Sequence, residues 1–150
     1  MKKPVLVMIL ILLLFGLALT TGCKEAQEKE DPLQGLSLEQ KMGQMFLIGF
    51  DGTALTPEIE ELFNTVHPGG VILFARNIEN EEQTKQLILD LQNLARNDTG
   101  MPLFVATDQE GGEVVRITWL DDKIPESQVT DTDQAYQIGL TRGQGLKDTG

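Results

Sequence analysis

Three short apolar runs, "MFLIGF" at 45–50, "VILFA" at 71–75 and "LFVAT" at 103–107, are separated by longer stretches of helical character, and this alternation restricts the chain to few folds. Each run is strand-length, and none shows an apolar/polar alternation, so each is expected to be a strand buried on both faces. Ahead of the first, "SLEQKMGQM" opens with a capping box, Ser37 with Gln40, and sets Leu38, Met42 and Met45 on one helical face. Asp51-Gly52 closes the first strand. "TPEIEELFNTV" then carries Thr56 as N-cap, Pro57 at the first helical position, and an apolar stripe of Ile59, Leu62, Phe63 and Val66. His67-Pro68-Gly69-Gly70 ends that helix. After the second strand, Asn80 with Gln83 predicts another capping box, and Leu87, Ile88, Leu91, Leu94 and Ala95 mark a longer helix running to "NDTG". A loop over Thr118–Thr130 leads to a last helix from Asp131, with Gly139, Gly143 and Gly145 inside it.

The order βαβαβα implies parallel strands joined by right-handed crossovers, in either a doubly wound sheet or a barrel. An eight-unit barrel needs about 250 residues, and units of roughly 30 residues leave room for about three here.

The amino end is not part of that pattern. Lys2 and Lys3 precede an uncharged run from Pro4 to Cys23 that contains "VLVMILILLLFGLAL", the layout of a signal peptide over residues 1–22. The run ends in "LALTTGC", which resembles a bacterial lipobox with Thr20 where Leu is usual, so that Cys23 becomes the lipid-modified first residue. The alternative is an uncleaved membrane anchor, since 18 or more apolar residues can span a bilayer. The expected location is the extracytoplasmic face of the cell membrane. Residues 23–36, including "KEAQEKEDPLQG", are polar and lack apolar periodicity, as a flexible tether to a domain over residues 37–150 would be. Losing Lys2 and Lys3 takes the net charge from −11 down by two to −13, which makes nucleic acid an unfavourable partner. One cysteine excludes an internal disulfide.

Polar residues follow each strand: Asp51 the first, Arg76 and Asn77 the second, Asp108 the third. In either α/β architecture that is the end where ligands bind. Asp51 and Asn77 read as strand-terminating or capping groups. Asp108 differs, because it follows five apolar residues directly and Gly111-Gly112 leaves the nearby backbone open to close approach.

"DQEGGEVVR", 108–116, resembles the D-Q-E-G-G-x-V-x-R signature in the amino-terminal barrel of glycoside hydrolase family 3, in its bacterial β-N-acetylhexosaminidase branch. "KMGQMFLIGFDG" resembles the opening strand of that barrel and "GGVILFARNI" its second strand, in family order. The resemblance implies an α/β fold made of the first three or so units of a (β/α)8 barrel of TIM type, incomplete in this chain. It implies hydrolysis of β-linked N-acetylglucosamine, in cell-wall or chitin fragments, without metal or cofactor. In the family the aspartate at the position of Asp108 binds hydroxyls of the sugar and the arginine at the position of Arg116 helps hold it. A structural ion pair of Arg116 with Asp108 or Glu110 is the competing reading. Glu110 is expected to satisfy backbone or loop donors rather than to pair with Asp108 in catalysis. The family's acid/base histidine, within a K-H-F-P-G-H-G-like motif, and its aspartate nucleophile match nothing in these residues, so no catalytic residue is assigned. His67 precedes the second strand and is expected to be structural. The chain is accordingly expected to be a truncated segment, inactive and unstable by itself; the alternatives are a non-catalytic sugar-binding surface lipoprotein and an inactive remnant.

Overall fold

A computed structural model of the protein describes residues 31–121 and 124–150. The expected signal peptide, Cys23 and most of the tether lie outside the described residues. The unit from Pro32 to Gly150 contains all the elements below.

Helix α1, Leu38–Gly43, starts as the sequence predicts: Gln40 N–H donates to Ser37 Oγ at 3.1 Å and Ser37 N–H to Gln40 Oε1 at 3.0 Å. Strand β1, Leu47–Ile48, precedes α2, Pro57–Val66, where the Thr56 hydroxyl and the backbone amide of Glu58 itself hold the Glu58 carboxyl below the usual range. Strand β2 is Gly70–Leu73, α3 is Glu81–Thr99 and β3 is Phe104–Thr107. A hairpin of β4, Gln109–Gly111, and β5, Val114–Val115, comes next. Helix α4, Thr132–Thr149, begins at an Asp131 cap that accepts from Gln134 N–H.

The three strands pair in the order β1-β2-β3, all parallel, with Val71 aligned to Ile48 on one side and Val105 on the other. Val71 and Leu73 pack with Ile59 and Phe63 of α2 and with Leu87, Ile88, Leu91 and Ala95 of α3 in one core. Both crossover helices therefore cover the same face, as in the wall of a barrel; a doubly wound sheet puts helices on both faces.

Two expectations are corrected. The strands are buried on one face only: Leu47 and Phe104, which flank Gly70 on the face away from the helices, are 49% and 81% exposed. Side chains alternate across a strand, and among the described residues no layer covers that second face. The first strand is also shorter than its apolar run, and Leu38 and Met42 on α1, with Met45 two residues past its end, are exposed. The helix is instead fixed end-on, where Gly43 and Gly69 bring the backbones of α1 and the α2–β2 turn together: Gly69 N–H donates to Gly43 O at 3.2 Å. A Cβ on Gly43 would collide with Val66 O, and one on Gly69 with Gln44 O.

The box at Asn80 is half formed. Asn80 Oδ1 accepts from Gln83 N–H, but Gln83 Oε1 takes the amide of Glu79, and its Nε2 donates to Thr53 O and Asn77 O.

Candidate functional site

Parallel pairing brings the carboxyl ends of β1, β2 and β3 to one side, and the polar residues that follow them collect there. Asn77 is fully buried: its Nδ2 donates to Phe50 O at 3.0 Å and Gly52 O at 2.8 Å, and its Oδ1 accepts from Phe74 N–H at 2.9 Å. Every polar atom of the side chain is engaged by backbone, which makes Asn77 a tie between strand exits. Asp51 is exposed and ion-paired to Arg76 Nε; that same Nε–H donates to Phe50 O, and the guanidinium lies over the Phe74 ring. These residues shape the ends of β1 and β2.

Asp108 directly follows β3, whose end is held by the Thr107 hydroxyl donating to Leu73 O at 2.9 Å. The chain then reverses in the β4–β5 hairpin. Gly111 and Gly112 take φ of 80° and 63°, in the left-handed region that favours glycine, so the doublet makes the turn. What approaches Gly112 is Pro125 of the following loop, on which a Cβ would intrude. The reversal returns Arg116 to Asp108, with Nη2 3.8 Å from Oδ2 and the side chains 26% and 43% exposed. Among the described residues this is the only polar contact of either side chain. At that distance and exposure the pair is worth little as a structural bridge. The carboxylate keeps acceptor sites and the guanidinium keeps donors, both partly exposed at the carboxyl end of the sheet.

Glu110 does not play its expected part. Its side chain is exposed on β4, and no side-chain hydrogen bond from it is found among the described residues. The loop donors are taken by its neighbour: Gln109, 7% exposed, accepts the amides of Arg116 and Ile117 on Oε1, each at 3.0 Å. Sequence reasoning missed Gln109, since a glutamine beside two acids carries no mark of burial.

His67 lies at the other end of the strands, as the C-cap of α2 with φ 53°. Its Nδ1 is 2.8 Å from Asp98 Oδ2, and Asp98 also accepts from Gln40 Nε2 on Oδ1 at 3.1 Å and on its carbonyl at 3.0 Å. That network joins the ends of α1, α2 and α3, far in the fold from Asp108.

The sequence model of the glycosyl hydrolase family 3 N terminal domain matches residues 37–150. The chain belongs to glycoside hydrolase family 3. Its parallel strands and single helical layer are the first three units of the (β/α)8 barrel of this family. The family 3 β-N-acetylglucosaminidase of a Paenibacillus species superposes with a TM-score of 0.68 at 31% identity, over 76% of this chain and 22% of that one. Beta-hexosaminidase A of Pseudoalteromonas piscicida is 47% identical over 66 residues, 43% of this chain and 11% of that protein. The beta-hexosaminidase of Alkalilimnicola ehrlichii is 35% identical over 103 residues, 66% of this chain and 28% of that protein. The chain thus spans less than a third of the length of each of these relatives, and it falls in the β-N-acetylhexosaminidase branch of family 3.

Proposed function

We propose that the full-length gene product is a β-N-acetylglucosaminidase acting on cell-wall or chitin fragments, and that this segment supplies part of its sugar-binding site. The observation that carries the reading is the pairing of Asp108 and Arg116 across the hairpin, with no other polar partner for either side chain among the described residues. A carboxylate can accept two hydroxyls and a guanidinium can donate from a planar fork, so together they fix the orientation of a sugar ring. The names of the relatives supply the substrate class. Bond cleavage needs an acid/base and a nucleophile, and neither is assigned to a residue of this chain. We further propose that the protein is held at the extracytoplasmic face of the cell membrane by a lipid on Cys23.

A second reading is sugar binding without hydrolysis, which the Asp108–Arg116 pair by itself would serve. Assay of the full-length gene product against chromogenic β-N-acetylglucosaminide and β-glucoside separates the two. Turnover preferring the N-acetylglucosaminide supports the enzyme. Binding of N-acetylglucosamine without turnover supports the second reading, and neither binding nor turnover overturns both.

A further inference from the structure

We propose that Gln109 is a positioning residue for this site, acting through Arg116. The inference rests on the sugar-binding reading of Asp108 and Arg116 and adds to it the group that sets their separation.

Gln109 is adjacent in the chain to Asp108, and its buried side chain reaches across the hairpin to the backbone of Arg116 and Ile117. One amide oxygen has two lone pairs, and here it meets two N–H donors. The residue beside one sugar-binding group therefore grips the backbone beneath the other. The grip is needed because the hairpin pairing is irregular: Gln109 aligns with Val115 and Gly111 with Val114, so a register shift lies between them. Strand pairing this short and shifted does not by itself fix where Arg116 emerges. The next residue, Ile117, is 3% exposed, so the far end of the grip is anchored in packed side chains. Among the described residues the Arg116 side chain itself has only the loose 3.8 Å contact to Asp108, which leaves its orientation to its backbone.

The test uses the full-length gene product and kcat/KM on a chromogenic β-N-acetylglucosaminide, with thermal unfolding measured in parallel. Gln109→Met keeps the length and apolar volume of the stem but removes the acceptor; it is expected to lower kcat/KM roughly tenfold or more. Gln109→Glu, which keeps an acceptor oxygen at the same place, is expected to retain most of the activity. Added to Arg116→Ala, Gln109→Met is expected to cost nothing further, because the group it positions is gone. An equal loss on both backgrounds, or unchanged kcat/KM in Gln109→Met, overturns the positioning role. A parent without turnover or binding overturns the sugar-binding reading itself, and this inference with it. A parent that loses activity in Asp108→Ala but not in Gln109→Met overturns the inference alone.

Discussion

The fully buried side-chain amide of Asn77 donates to the carbonyl oxygen of Phe50 at 3.0 Å, tying the exit of β2 to the exit of β1. Asn77→Ala would also strand Gly52 O and Phe74 N–H, partners that the side chain now satisfies. A loss of about 2–4 kcal/mol is expected in urea denaturation, since each buried group left unpaired costs about 1–3 kcal/mol. A change within 0.5 kcal/mol, roughly that of a surface substitution, would show that the strand ends are held by other means.

The glycines divide into two kinds that alanine substitution should separate. Gly69→Ala forces a Cβ against Gln44 O, and about 3 kcal/mol of destabilisation is expected, because backbone on both sides cannot yield cheaply. Gly139 and Gly143 face open space inside α4, so Gly139→Ala and Gly143→Ala are each expected to stabilise by about 0.5–1 kcal/mol. Midpoints of chemical denaturation for the three variants give the comparison, and equal signs would contradict it.

Helix starts were the most legible part of the fold. Ser37, Thr56, Asn80 and Asp131 all stand as N-caps, because a cap is a local bond between residues three apart and leaves its pattern in sequence. Strand order and the single covered face were less so, since both are set by which residues meet across the chain. Phe104 and Leu47 read as core because their apolar character is visible while the layer that would cover them is not. The place of Asp108 and Arg116 was legible through their motif. Gln109 was not, because its partners lie seven and eight residues on and are brought to it only by the hairpin.

Phe104 and Leu47 on the open face, beside edges of β1 and β3 that pair with no other strand among the described residues, predict self-association of residues 24–150 when made alone. Sedimentation should show concentration-dependent association, reduced by Phe104→Ser combined with Leu47→Ser. No turnover of a chromogenic N-acetylglucosaminide is expected from this piece. A monomer with a cooperative thermal transition would contradict the association.

If Cys23 carries a lipid, the gene product partitions with membranes and Cys23→Ser moves it to the soluble fraction. Membrane partitioning that survives Cys23→Ser, with an unprocessed amino terminus, would instead establish a transmembrane anchor.

Asp108 is proposed to hold the sugar. Asp108→Ala removes a charged acceptor without touching the core, because the side chain is 43% exposed and its one polar contact among the described residues is the loose pair with Arg116. The measurement is kcat/KM of the full-length gene product on a β-N-acetylglucosaminide, with the thermal midpoint recorded for parent and variant. A loss on the order of a hundredfold at an unchanged midpoint is expected. Unchanged kcat/KM in Asp108→Ala would contradict it.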